Sequence, residues 1–332
     1  FSPLFGGMTK TAMMVEFQIT QEYMGGSNHL VYLSTQLEEC LDSDTYCDNE
    51  YSTVAEITSG KAYPEVYNTT AIAGVANIGR DKNWCGHYFA QSSWYAFGRL
   101  AWNAELSSEE IAREWLQQTF STEPEFVEPV LDMMMTSRET AVDYMMPLGL
   151  HHIFAGEHHY GPEPWYEPKG ARLDWLPKYY HQAGPDGIGF DRTRNGSGNV
   201  DQYHEPLASI YNNLETCPEE LLLWFHHIPW NHKMSSGRTF WDEMCHRYDR
   251  GVKKVREYQA VWDAAKPYVD EERWEAVRAK LEIQESDARW WRDACVQYFG
   301  EFSGMPVPAD VEQPERPLEE LKKIKLNMKH HN

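Results

Sequence analysis

The sequence predicts an α/β start, two strand–helix units, followed by a mainly helical domain. Three patterns predict this. Residues 12–22 alternate, with Val15, Phe17 and Ile19 on one side and Met14, Glu16, Gln18, Thr20 and Glu22 on the other, the period-2 signature of a strand. Residues 70–78 (TAIAGVANI) are almost wholly apolar with small side chains, as in a parallel-sheet strand buried on both faces. From Trp241 onward, apolar residues recur at alternating spacings of three and four, the stripe of packed helices.

The elements follow in order. After the first strand, residues 30–41 read as a helix and 53–57 as a short one. The second strand runs into a glycine-bearing loop, 79–86, and then a helix over about 87–101. Strand, helix, strand, helix makes two βα units. Beyond Asn103 the character turns helical. Ser107 and Glu110 form one capping box, and Thr216 and Glu219 are read as a second, ahead of Leu221–Phe225. The last third carries two stripes, from Trp241 to Ala265 and from Trp274 to Tyr298, broken at Pro267 and restarted with Asp270 as N-cap. They predict an antiparallel helical hairpin whose one polar seam position is Gln284. Residues 147–215 are rich in Gly, Pro, His and Tyr with little periodicity, and a long irregular segment is usually functional. The division expected is 1–105 and 106–332, with a Pro- and charge-rich peripheral tail from 303.

Composition narrows the function. The chain has 332 residues with 51 acidic against 30 basic side chains, a net charge of −21. That excludes a basic nucleic-acid surface and docking on anionic lipid, and no apolar run approaches the ~18 residues of a membrane helix. Aromatics make up 14%, including 13 Trp and 19 Tyr, which suits either aromatic core packing or stacking against pyranose rings. The six cysteines form no C-x-x-C pair; Cys40 and Cys47 could bridge, but scattered thiols are expected. No Walker or Rossmann glycine pattern, no G-x-S-x-G and no H-E-x-x-H occurs. Four histidine pairs (151–152, 158–159, 226–227, 330–331) invite a metal reading, but adjacent side chains point apart on regular structure, so no metal and no cofactor is expected. The chain begins at Phe1 with no visible leader, read as a processed or truncated start.

Glu22 is the first candidate for chemistry. It ends the polar side of the first strand, just before Tyr23 and Gly25-Gly26, whereas Glu16 is expected deeper. In (β/α)₈ barrels catalytic groups come from the C-terminal strand ends. The plainer reading is a solvated side chain. The loop after the second strand offers Asn77, Asp81, Asn83, Trp84 and His87, suited to sugar binding or to loop and helix-cap chemistry. His158, His159 and Tyr160 read as a hydrogen-bonding loop.

Nine runs together resemble one family: 2–7, 16–23 (with Gln21-Glu22-Tyr23), 74–79, 97–103, 158–162, 186–193, 216–221, 224–230 and 290–294. They resemble the C-terminal portion of glycoside hydrolase family 67 α-glucuronidases, over nearly the whole chain to about Pro306. The resemblance implies the last two βα units of a (β/α)₈ TIM barrel followed by a C-terminal helical domain that mediates dimers. It implies an inverting, xylan-degrading hydrolase that removes α-1,2-linked 4-O-methyl-D-glucuronic acid from the non-reducing-end xylose of xylo-oligosaccharides (aldouronic acids). Glu22 is then one of two candidate base carboxylates. The other, the general acid and the basic residues that meet the uronate would lie upstream of Phe1, so this chain alone is expected to be inactive. A Trp over the pocket mouth maps to Trp175 first and Trp165 second; each could equally be a packed surface Trp. The other readings are a non-catalytic helical module for carbohydrate binding or dimerisation, and a His-rich metallohydrolase. The family occurs inside bacterial cells and secreted from fungi, so the compartment stays open, the cytoplasm set ahead of secretion or the periplasm.

Overall fold

The computed structural model describes residues 12–47, 50–65, 70–76, 78, 83, 85–156 and 158–326. Strands β1 (Val15–Gln18) and β2 (Ile72–Val75) pair in parallel, Val15 opposite Ile72 and Gln18 opposite Val75. The alternation in β1 holds: Val15 and Phe17 pack toward the core while Glu16 and Gln18 face out. Helices α1 (Ser34–Asp42) and α2 (Val54–Thr58) lie in the crossover between the strands, and α3 (Ala90–Trp102) follows β2. The expected burial of 70–78 on both faces is corrected. Ala73, Gly74 and Val75 are exposed, and Ile78 is 61% exposed. A parallel strand is buried twice only when it has two neighbours and helices on both sides; among the described residues β2 has one neighbour. For the same reason Glu16 lies at the surface rather than deep in layers.

Helices α4 (Ser108–Thr119) and α5 (Pro124–Met145) come next, and α4 starts with the predicted capping box: Ser107 Oγ accepts from Glu110 N, and Glu110 accepts from Ser107 N. Residues 146–238 are mostly irregular, with short helices α6 (Pro177–His181), α7 (Leu207–Asn212) and α8 (Leu222–Phe225). Here the second capping box fails. The Thr216 hydroxyl donates backward to Ile210 O at 2.9 Å, and Glu219 accepts from Ser235 N at 2.8 Å. Both side chains close loops instead, and the helical turn begins after Pro218.

The long hairpin is α9 (Phe240–Ala265), a turn at Lys266–Tyr268, and α10 (Glu271–Ser303). Asp270 caps α10 by accepting from Arg273 N at 3.0 Å. Near the turn, the Trp262 indole donates to Trp274 O at 2.9 Å and the Trp274 indole to Trp262 O at 3.0 Å. This reciprocal pair fixes the antiparallel register. Gln284, fully buried, turns away from α9: its Oε1 accepts from Leu30 N at 2.9 Å and its Nε2 donates to Leu30 O at 3.3 Å and Tyr144 Oη at 3.2 Å. The polar seam residue therefore clasps the chain that leaves β1. One core runs from Leu30, Phe89 and Ala96 through α4 and α5 to Trp262 and Leu281 of the hairpin. A second joins the irregular segment to the other end of the hairpin around Trp241 and Trp291. The tail lies against α9 and α10 through Val311, Leu321 (in α11, Leu318–Leu321) and Glu312, which pairs with Arg256 and Arg292. No described helix is long and apolar enough to cross a membrane. The six cysteines are free thiols.

Candidate active site

The turn after β1 is fixed from behind. Gln21 is buried; its side chain donates to His29 O, and its carbonyl accepts from Met24 N and Gly26 N, both at 3.0 Å. His29 is buried with Nδ1 at 2.8 Å from Tyr144 Oη and Nε2 at 3.0 Å from Asp287. Gly25 has φ of +78°, and a Cβ there would lie 2.0 Å from the His29 ring. These bonds tie residues 20–30 to α5 and α10 and leave Glu22 pointing outward.

A second loop arrives from 132 residues later in the chain. Tyr160 accepts from Asn28 Nδ2 at 2.9 Å, donates to Asp287, and its carbonyl accepts from the Trp291 indole at 3.1 Å. That anchoring delivers His159: its Nδ1 lies 3.0 Å from Glu22 Oε1, and its ring stacks on Tyr23 with centroids 4.4 Å apart. Gln18 Nε2 donates to the other Glu22 oxygen at 3.0 Å. The Glu22 side chain is 43% exposed, so this pair adds at most ~1 kcal/mol of stability. Its effect is orientation: both carboxylate oxygens are held. Glu22 also lines a cavity of about 210 Å³ past the C-terminal end of β1, whose lining includes Cys85 and Trp94. Among the described lining residues it is the only carboxylate. Such a group can take a proton from water or aim it; protonating a leaving group needs a second carboxyl.

Outward from Glu22 runs a belt of rings. His159 lies 5.9 Å from His152, which lies 4.8 Å from Tyr180 and 5.7 Å from His151; His151 meets Trp224 at 4.9 Å. The expectation that adjacent histidines point apart is corrected here. His152 has φ of +56°, so the backbone is not regular and both rings join the belt. Burial and the neighbouring His159 hold His152 below the ordinary imidazole range. No group of three or more His, Cys, Asp or Glu among the described residues could hold a metal. A mostly apolar cavity of about 320 Å³ lies beside the belt, bounded by Tyr23, Phe154 and Trp224.

The other candidates divide. Trp175 stands on the turn Leu173–Trp175, is 66% exposed and has the Arg172 guanidinium 5.4 Å from its ring. The neighbouring Asp174 carbonyl accepts from the Tyr180 hydroxyl at 2.9 Å, which ties this turn to the belt. Trp165 is half-buried against Tyr298 and packs with Trp290 and Leu321, as the packed-Trp alternative has it. His158 Nδ1 accepts from Tyr160 N at 3.3 Å. Asn83 accepts from Gln91 at 3.0 Å, beside α3. His87 is buried, accepts from Phe89 N at 3.1 Å, and burial pushes it down to about 3, so it serves the core. Trp84, Asn77 and Asp81 lie outside the described residues. Sequence reasoning gave no site role to Tyr180, Trp224, Gln21 or His29, although Gln21 and Trp224 stand in the matching runs. Only the aromatic excess of 147–215 hinted at the first of these.

Residues 1–84 match the family model described as glycosyl hydrolase family 67 middle domain, and residues 85–312 the one described as glycosyl hydrolase family 67 C-terminus. An alpha-glucuronidase A of Emericella nidulans is 37% identical over 312 residues, 93% of this chain and 36% of that protein. An alpha-glucuronidase A of Aspergillus tubingensis and an alpha-glucuronidase of Hypocrea jecorina are each 34% identical over 307 residues, 92% of this chain. The chain thus spans little more than a third of the relatives it matches.

Proposed function

We propose, from the premise that this chain belongs to glycosyl hydrolase family 67, that it forms part of a xylan-degrading α-glucuronidase. In this reading residues 1–105 end a (β/α)₈ barrel and 106–332 form the helical domain beside it. The reaction is inverting hydrolysis of α-1,2-linked (4-O-methyl)-D-glucuronic acid from the non-reducing-end xylose of aldouronic acids. Glu22 orients or deprotonates the attacking water, on the sugar face opposite the leaving group. An inverting acid and base stand roughly 6.5–9.5 Å apart to admit that water, and the acid comes from the rest of the protein. The belt stacks the sugar rings, Trp175 stands at the chain-end mouth, and the helical part pairs two copies.

One observation carries this reading. The Gln21-Glu22-Tyr23 turn stands at a strand end, beside a cavity, with His159 bonded to Glu22. Among the described residues the sheet has two strands, which also suits a chain that works joined to more strands. The test is a chimera of this chain with the upstream two-thirds of the Emericella nidulans relative, given aldouronic acids. Release of the uronate as the β-anomer, seen first by NMR, is expected. Release as the α-anomer, or no release from a folded chimera, overturns the reading. Light scattering tests the pairing: a monomer at micromolar concentration refutes it.

A further inference from the structure

We propose that Arg192 forms a carboxylate subsite at the far end of the ring belt, binding a uronate carried by the saccharide. The inference rests on the saccharide reading above and adds a binding residue to it. Among the described residues, two arginines, Arg192 and Arg316, have no carboxylate within 4.0 Å, and Arg316 is on the exposed surface. Arg192 is half-buried, and burial pushes its pKa down. A guanidinium stays charged even so, and removing a charge from water without an ionic partner is costly. In a chain with 51 acidic residues, an arginine kept clear of all described carboxylates is available to an acidic ligand.

The surroundings prepare it for one. Arg192 lies 4.5 Å from the Phe190 ring centroid and 4.2 Å from that of Trp224. One N–H donates to Trp224 O. Guanidinium has five N–H donors in a flat fork, and the others have no partner among the described residues. The fork is planar through its own delocalisation; the two rings restrict where it lies, and a flat fork matches a carboxylate in two parallel bonds. Trp224 also belongs to the belt that starts at Glu22. Between His159 and Trp224 lie three ring-to-ring steps of 5.9, 5.7 and 4.9 Å, each about the size of one sugar ring. The carboxylate belongs to a second uronate further along the xylose chain, because the uronate cleaved at Glu22 carries its carboxylate on the same ring that Glu22 serves.

The test is calorimetric titration of the 332-residue chain at low salt with three ligands. They are xylotetraose, the same with one uronate on the non-reducing-end xylose, and the same with one on an internal xylose. A charge-assisted bond of ~1.5–3 kcal/mol predicts about 10–100-fold tighter binding of at least one charged ligand. The preference should fall as salt rises, vanish in Arg192→Met, survive in part in Arg192→Lys, and persist in Arg316→Met. Which charged ligand is preferred gives the register in which the xylose chain lies on the belt. Because Arg192→Met could disturb the Trp224 loop, near-ultraviolet circular dichroism accompanies it, and the salt dependence of the unaltered chain stands independently. Equal binding of all three ligands, or a preference that survives in folded Arg192→Met, overturns the subsite and leaves the glucuronidase reading standing. Absence of binding by any ligand overturns both the subsite and the ring belt as a saccharide site, while the glucuronidase reading is decided by the chimera.

Discussion

Replacing Gly25 with alanine tests how the Glu22 turn is held. Two separate costs follow from the structure. Gly25 has φ of +78°, and an L side chain in that region costs ~1–2 kcal/mol. The new Cβ would stand 2.0 Å from Cγ and Nδ1 of His29. The ring cannot swing aside freely, because it is bonded to Tyr144 on one nitrogen and Asp287 on the other. Overpacking of this kind costs a further ~1–3 kcal/mol, giving about 2–5 kcal/mol in total. Gly170 is the control: its φ is +84°, and a Cβ there meets nothing within 4 Å. Gly170→Ala should therefore cost only the backbone part, ~1–2 kcal/mol. Urea unfolding followed by far-ultraviolet circular dichroism measures both. Gly25→Ala should also cost less in a His29→Ala background, where the obstacle is gone. If Gly25→Ala costs no more than Gly170→Ala, the packed turn described here is wrong.

Three further predictions concern the same scaffold. Gln284→Leu strands the buried N–H and C=O of Leu30 at ~1–3 kcal/mol each, partly offset by ~1–2 kcal/mol of new apolar burial. The variant should be up to ~5 kcal/mol less stable in urea, and a gain in stability would refute the clasp. Burial pushes His87 down to about 3 and His181 to about 4. The unfolded chain binds protons near the ordinary 6.5, so this stability is complete above that pH and is lost below it. The slope is up to ~1.4 kcal/mol per pH unit for each histidine; urea midpoints at pH 7.5, 6 and 5 should fall accordingly, and less steeply in His87→Gln. Arg256, then Arg292, hold Glu312 down to about 2. That stability is present above pH 4.5 and lost as pH drops toward 2. Solvent reaches about a third of the side chain (35%), so Glu312→Gln should cost only ~1–2 kcal/mol at pH 7 after screening. The cost should shrink below pH 4.5, and one that stays constant with pH would count against the ion pairs.

What the sequence made legible was local. The alternation of Val15 and Phe17, the Ser107–Glu110 box, the Asp270 cap and the stripes of α9 and α10 each depend on neighbours a few residues away, and each is present. Gln284 stood out as the odd polar residue of a seam, but its partner Leu30 is 254 residues distant. Glu22 and His159 were both named as candidates, while their contact spans 137 residues and follows from Trp291 and Asp287 anchoring Tyr160. The misreadings share a cause. Thr216 matched a local pattern, yet its hydroxyl was taken by the preceding turn. The apolar run at 70–78 predicts burial on both faces, and β2 has one neighbour among the described residues. The rings of His151 and His152 converge because His152 adopts a positive φ, which no period reveals.

The central claim is that Glu22, aimed by His159, activates the water. Steady-state kinetics of Glu22→Gln in the chimera test it most directly. Gln keeps the shape and can still accept from Gln18, but it cannot take a proton. A positioned base contributes ~10²–10⁴-fold, so kcat should fall by at least ~10²-fold with the dissociation constant for aldouronic acid little changed. His159→Gln, which leaves the carboxylate but loosens its aim, should lower kcat by less. Hydrolysis by Glu22→Gln within about threefold of the parent would contradict the account.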